Sequence, residues 1–127
     1  MPRKEERRPP VAIGHVCFRS RDVGAAALWF KVIGLRPIAG DGDFAVLELR
    51  GGTHLVISKA VRRPRRGAEA PFDLMVDDVD ATHRDYADKG LSPTAIQRGR
   101  IHDSFEVPGP DGWIFTINSS HASGNPI

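Results

Sequence analysis

The chain repeats one short pattern, and this repeat is the feature that most restricts its fold. The segment GLRP at residues 34–37 returns as GLSP at residues 90–93. An Asp-Val pair precedes each copy, at Asp22 and Asp78, and both parts of the pattern recur after the same 56 residues. Self-similarity at a fixed period indicates two related supersecondary units in place of one irregular domain.

The first unit has the pattern of a strand, a helix and three further strands. Polar and apolar residues alternate in AIGHVCFRS, which predicts a strand with one face on a core. Asp22 predicts a helix N-cap, and the helix then ends at Gly34, which tolerates the left-handed conformation. Pro37 prevents the helix from restarting, and the strands FAVLELR and THLVIS follow.

The second unit repeats this order, with a strand FDLMV, a helix from Asp78 to about Lys89, and strands in SFEVPG and WIFTINSS. A four-residue gap aligns Gly52 with Gly112. Neither four-stranded half can bury its sheet alone, so the sequence predicts an α+β fold of two tandem βαβββ modules sharing a core. We expect a basic arm at 1–10, modules at 11–58 and 71–120, a linker at 59–70, and a tail at 121–127.

Composition and charge exclude several classes of protein. Of 127 residues, 40% are hydrophobic and 27% charged, and no apolar run approaches the ~20 residues of a membrane span. The N-terminus lacks the apolar segment of a signal peptide, and the single Cys17 excludes an intrachain disulfide. These features predict a cytoplasmic protein. The basic residues concentrate in the arm and the linker without interleaved aromatics, which favours solvated chain over nucleic-acid binding.

With HVCFRSRDV and IGL in the first half and PGPDG in the second, residues 11–120 resemble the vicinal oxygen chelate superfamily. This group includes glyoxalase I, fosfomycin-resistance thiol transferases, extradiol dioxygenases and bleomycin-resistance proteins. The resemblance implies that the modules form an open half-barrel trough that holds the ligand. In enzymatic members, each half supplies two ligands to a divalent metal that acts as a Lewis acid.

Carried onto this chain, the four metal-ligand positions of the superfamily fall on His15, Val56, Pro71 and Thr116. Only His15 is a metal ligand by chemistry, and a catalytic zinc site needs about three protein ligands. The resemblance therefore implies a degenerate metal centre and no cofactor. A rearranged site of His15, His102 and Glu106 stays open as an alternative, for zinc, manganese, nickel or iron.

Strand alternation predicts a polar pocket between the two half-barrels. We expect Trp113 near its rim, and Cys17 as a small core residue. His54 follows a Gly-Gly turn, which favours a surface position, and it is kept outside the set. The predicted ligand-binding residues are His15, Asp73, His102, Glu106, Trp113, Thr116 and Asn118. In this pocket His15 would act as hydrogen-bond partner or general base with Asp73 as counter-charge, and His15 and Glu106 would be the catalytic pair of an enzyme.

Three functions follow as hypotheses. The first is a metal-free protein that binds a small molecule, similar to the bleomycin-resistance branch. The second is a metal-dependent lyase, isomerase or dioxygenase with a rearranged ligand set. The third is an interaction module that uses the basic arm and linker. We also expect a homodimer, because the trough leaves open sheet edges that a second chain would cover.

Overall fold

The computed structural model describes residues 8–120, in which the β-α-β-β-β order occurs twice. Two short 3₁₀ turns, Arg50–Gly52 and Pro110–Gly112, precede the last strand of each module. The first module contains β1 His15–Ser20, α1 Val23–Ile33, β2 Arg36–Gly40, β3 Phe44–Glu48 and β4 His54–Lys59. The second contains β5 Leu74–Val76, α2 Val79–Asp88, β6 Gln97–Arg98, β7 Asp103–Pro108 and β8 Ile114–Ser119.

Each module forms its own four-stranded mixed sheet. The strand orders are β1-β4-β3-β2 and β5-β8-β7-β6, so β1 and β5 are equivalent edge strands. β1 runs parallel to β4 and β5 runs parallel to β8, whereas the other neighbours are antiparallel. The predicted α+β fold of two βαβββ modules with open sheets is confirmed.

The two helices begin in the same way, as the repeated Asp-Val pair predicts. The carboxylate of Asp22 accepts a hydrogen bond from the amide of Ala25 at 3.0 Å. The carboxylate of Asp78 accepts one from the amide of Ala81 at 2.9 Å. These N-caps satisfy amides that have no partner within the helix. After α1, Gly34 adopts a φ of 127°, a conformation that a side chain would disfavour.

One hydrophobic core fills the space between the two modules. The inner face of each sheet is the face that carries its buried residues, and Phe18 of the first sheet contacts Phe115 of the second with ring centroids 5.8 Å apart. Phe30 of α1 packs edge-on against the same Phe115 at 5.5 Å. The outer faces therefore turn away from the core. The most deeply buried large side chains are Phe18, Phe30, Leu47, Leu55, Ile57, Phe105, Phe115 and Ile117.

Polar contacts join the modules at both ends of this core. The amide of Arg21, after β1, donates to the carboxylate of Asp111 in the second 3₁₀ turn at 3.0 Å. The guanidinium of Arg50, in the first 3₁₀ turn, donates to Asp77 after β5, also at 3.0 Å. Arg21 and Asp77 occupy equivalent positions in the two modules, 56 residues apart, and each contacts the 3₁₀ turn of the other module. The two modules are thus related by an approximate two-fold symmetry.

Some local expectations need correction. Cys17 was expected in the core, but its side chain is exposed because it lies on the outer face of β1. The linker is not extended solvated chain throughout: the amide of Ala70 donates to Ile114 at 2.8 Å, and Ile114 donates to Ala68 at 2.8 Å. Glu69 forms an isolated parallel bridge to Ile114, so this short segment aligns with β8 before β5 begins at Leu74. The predicted arm and tail lie largely outside the described residues.

No helix among residues 8–120 is long and apolar enough to cross a membrane.

Candidate functional site

The outer face of the first sheet carries a row of polar side chains, one from each strand. The register places His15 of β1 opposite His54 of β4, His54 opposite Glu48 of β3, and Glu48 opposite Arg36 of β2. The imidazole centroids of His15 and His54 are 6.1 Å apart. We call these four residues the polar row.

Glu48 is the centre of the polar row. One carboxylate oxygen forms an ion pair with Arg36, and the other lies 3.2 Å from Nε2 of His54. The side chain of Glu48 is 20% exposed, against 76% for Arg36, so the carboxylate is the shielded member of the pair. Sequence reasoning missed Glu48. Its position in the alternating strand FAVLELR could have found it, because the residue opposite His54 must share the outer face.

The second sheet holds most of the predicted site residues. The side-chain amide of Asn118 donates to the carboxylate of Asp73 at 2.8 Å. Glu106 of β7 lies opposite Thr116 of β8, on the outer face. Nδ1 of His102 lies 3.1 Å from the carbonyl oxygen of Ser119, so this nitrogen carries the hydrogen and donates.

His15 lies on a different sheet from Glu106 and Thr116. His15 lies on the outer face of the first sheet, whereas Thr116 and Glu106 lie on the outer face of the second. The shared core occupies the space between the two inner faces. A pocket that contains both groups stays a prediction.

Trp113 was expected near the rim of that pocket. Its ring lies 6.4 Å from Phe18 and packs against the core, with its indole nitrogen buried. The ring also lines a cavity of about 460 Å³ together with Arg19 and linker residues 60–64. Trp113 is therefore next to the basic linker, on the opposite surface of β8 from Thr116 and Asn118.

Three of the four residues to which the resemblance assigns metal positions lack an imidazole, thiol or carboxylate group. Val56 is half-buried between Cys17 and Val46 on the neighbouring strands, and its isopropyl group cannot ligate. Pro71 is exposed and lacks a donor side chain, and Thr116 offers only a neutral hydroxyl. Within residues 8–120, no three side chains of His, Cys, Asp or Glu are grouped as metal ligands.

Electrostatic shifts occur away from the polar row. Hydrogen bonding to Arg98 lowers the pKa of Asp80, and Arg98 also pairs with Asp103 at 2.9 Å. These contacts attach β6 to α2 and β7. They are exposed, and their role is to hold the edge strand in place.

Comparison with known proteins identifies the fold. No protein-family model matches the chain. No curated protein matches it either.

Solved structures do match. A lactoylglutathione lyase from Agrobacterium tumefaciens has a TM-score of 0.71 at 19% identity, covering 92% of this chain and 99% of that one. A glyoxalase/bleomycin resistance protein/dioxygenase from Alicyclobacillus acidocaldarius has a TM-score of 0.70 at 18% identity, covering 92% and 97%. A bleomycin-binding protein from Streptomyces verticillus, complexed with copper(II)-bleomycin, has a TM-score of 0.66 at 22% identity, covering 90% and 100%. The chain therefore has the glyoxalase/bleomycin-resistance/dioxygenase fold that the resemblance predicted.

Proposed function

We propose that this protein binds a small molecule on the outer faces of its sheets, without a metal at the superfamily position. The observation that carries the proposal is the polar row, in which His15, His54, Glu48 and Arg36 are held in register on a surface-facing sheet. Polar groups held in register on an exposed sheet face are suited to orient a ligand. The fold of a bleomycin-binding protein gives further support.

The complete pocket is proposed to form between two chains. The polar row of one chain would face Asp73, Glu106, Thr116 and Asn118 of the other, so that a homodimer has two pockets. The exposed apolar side chains on the outer faces support this arrangement: Phe44 is 41% exposed and Met75 is 56% exposed. Among residues 8–120, both sheets also have edge strands with no neighbour on one side, which a second chain would cover.

A mixing experiment tests the pocket. Ligands are screened by fluorescence titration, with bleomycin and copper(II)-bleomycin as the first probes, because a structural neighbour binds the latter. For a ligand that binds, the variants His15→Ala and Asn118→Ala should each lose binding. The two variants are then unfolded together and refolded, so that about half of the dimers are heterodimers. Each heterodimer has one intact pocket of its two, so about a quarter of all pockets should bind the ligand again. A pocket within one chain would give no restoration.

A metal measurement tests the second part of the proposal. The purified chain is loaded separately with Zn²⁺, Mn²⁺, Ni²⁺ and Fe²⁺, and the bound metal per chain is measured after gel filtration. We expect less than one tenth of an equivalent in each case. A stoichiometric metal that is lost in His15→Ala would contradict the proposed degenerate centre.

A metal-dependent lyase, isomerase or dioxygenase is the second candidate. One observation favours it: the carboxylate of Glu48 lies 3.2 Å from His54, whose ring is close to that of His15. These groups are of the type that zinc and iron accept, but they are not grouped as a ligand set in the structure, so metal binding would have to bring them together. If the loading experiment gives a stoichiometric metal that Glu48→Gln and His54→Ala also remove, this candidate replaces the first.

A further inference from the structure

A cavity of about 510 Å³ lies between the two modules, at the end of the core where Arg50 meets Asp77. Its volume is within the range of about 300–1,000 Å³ that is typical of small-molecule sites. It shares Glu48 and Asp73 with the outer-face pocket proposed above, but it differs from that pocket because both modules of one chain line it. The apolar part of its wall consists of Ile33, Leu35, Leu49, Leu74, Val76 and Tyr86. We call it the seam cavity.

The internal repeat shows which side chains this region lacks. At the opposite end of the core, Trp113 lies 6.4 Å from Phe18. In the other module, Thr53 matches Trp113 in the alignment that pairs Gly52 with Gly112, and Leu74 lies 56 residues after Phe18. Both Thr53 and Leu74 line the seam cavity. An aromatic pair is thus replaced by two smaller side chains.

A second aromatic residue is also missing. Trp29 of α1 lies against Phe115 with ring centroids 5.0 Å apart. Its counterpart in α2, after 56 residues, is Asp85. Two indoles that help to fill one end of the core therefore have no equivalent at the other end, where an apolar wall remains open.

The charge available in the seam cavity is negative. Three charged residues line it, namely Glu48, Arg50 and Asp73. Arg50 is paired with Asp77, and Glu48 is paired with Arg36 and His54. Asp73 accepts a hydrogen bond from the neutral amide of Asn118, and among residues 8–120 it forms no ion pair.

We propose that the seam cavity binds a small aromatic amine. The ring would occupy the space beside Thr53 and Leu74 where the repeat predicts aromatic side chains, and its burial would provide most of the affinity. The ammonium group would pair with the carboxylate of Asp73. The site lies within one chain and does not require a homodimer, and the filling variants at Thr53 and Leu74 distinguish it from the outer-face pocket, which also uses Asp73.

The test uses tryptamine as the probe, with the full chain. Binding is followed through the ¹⁵N NMR shifts of the amides of Gly51, Thr53 and Leu74. We expect saturation with a dissociation constant below about 1 mM. Indole-3-acetate, which has the same ring and the opposite charge, should bind at least about fivefold more weakly. Failure of tryptamine to bind, or equal binding of the two compounds, would overturn the proposal.

Variants locate the probe. Thr53→Trp restores the indole of the repeat and should weaken tryptamine binding at least tenfold, because the new ring occupies the cavity. Leu74→Phe restores the other aromatic position and gives a second test if Thr53→Trp does not fold. Asp73→Asn should weaken tryptamine about fivefold while leaving neutral 3-methylindole unaffected. Asp43→Asn, in the turn before β3, removes the same charge outside the cavity and is the matched control. Unchanged binding in both filling variants would place the probe elsewhere and refute the assignment.

Discussion

The hydroxyl group of Tyr86 in α2 donates a hydrogen bond of 2.8 Å to the carbonyl oxygen of Ile33, the last residue of α1. This bond crosses from one module to the other inside the core, where Tyr86 is 3% exposed. Phe30 occupies the equivalent position in α1 and has no hydroxyl. This hydrogen bond between the two helices therefore has no counterpart from Phe30, and we expect it to respond to substitution and to alkaline pH.

Replacing Tyr86 by Phe should lower the free energy of unfolding by about 1–2 kcal/mol. The reason is that the Ile33 carbonyl loses its buried donor while the ring packing is retained. Urea unfolding followed by tryptophan fluorescence measures the change. Tyr86→Leu is the comparison: it removes the same bond and also the contact with Phe105, so it should cost more. Equal stability of wild type and Tyr86→Phe would show that the bond contributes nothing.

Tyr86 should also make the protein less stable at alkaline pH. Burial, with a smaller contribution from Asp85, raises the pKa of Tyr86 to about 12, above its ordinary value of 10. The neutral phenol therefore stabilises the folded chain fully below pH 10. Between pH 10 and about 12 the unfolded chain loses this proton first, so the free energy of unfolding falls by ~1.4 kcal/mol per pH unit from this group.

This pH effect can be observed directly because Tyr86 is the only tyrosine. Absorbance at 295 nm should show phenolate formation near pH 12 in the folded protein and near pH 10 in urea. Tyr86→Phe should flatten the pH dependence of stability between pH 10 and 12. A native titration midpoint near pH 10 would contradict the buried position of the hydroxyl.

The two helix caps should contribute equally to stability. Asp22→Ala and Asp78→Ala each remove a carboxylate that accepts a hydrogen bond from the first turn, and each should lower the free energy of unfolding by about 1 kcal/mol. Asp22→Asn and Asp78→Asn keep a capping oxygen and should cost only a few tenths. Thermal unfolding of the four variants measures this. A large loss of stability at one cap alone would show that the two Asp-Val pairs do not have the same structural role.

The sequence predicts those features of the fold that depend on local chemistry and on the repeat. Asp22, Gly34 and Asp78 mark helix ends through backbone preferences that act over a few residues. The alternation in AIGHVCFRS predicts two faces for β1, but it does not say which face is covered. The prediction therefore assigned Cys17 to the core, but the covered face of β1 is the one that carries Phe18 and Ser20.

The candidate site was harder to predict because it depends on pairing between strands. Glu48 joins His54 and Arg36 only through the register of three strands, which the sequence does not specify. The superfamily resemblance assigned His15 to the ligand-facing side of β1, which stays a prediction, and it could not give the relative direction of the two sheets. That direction is set by long-range packing, such as the contact of Phe18 with Phe115.

We expect one part of the linker to be required for stability and another part to be dispensable for it. Ala70 is buried, and its amide donates to Ile114 at 2.8 Å, so Ala70→Pro should lower the free energy of unfolding by at least about 1 kcal/mol. The double variant Arg62→Ser/Arg63→Ser changes two exposed side chains and should cost less than about 0.5 kcal/mol. Chemical denaturation of both variants makes the comparison. A tolerated proline would show that the segment beside β8 is not required.

The chain should sediment as a dimer at micromolar concentration. Phe44, on the outer face of β3, would be covered in the proposed dimer, so Phe44→Glu should weaken association at least tenfold while the monomer stays folded. Leu28→Glu is the control, because Leu28 is 61% exposed on α1, away from the outer faces. A wild-type monomer, or dissociation caused by Leu28→Glu alone, would contradict association through the outer faces.

The separation of the two sheets has a consequence for how the polypeptide can be cut. No strand of one sheet pairs with a strand of the other within residues 8–120. The backbone hydrogen bonds that join the linker to the modules are at Ala60, with Ser20 of the first module, and from Gly67 onward, with the second module. Cleavage at residues 61–64 would therefore sever no sheet pairing, and each fragment would retain a complete βαβββ unit. The aromatic core is then the main attraction between the fragments, and two separately expressed halves should reassemble into one native particle.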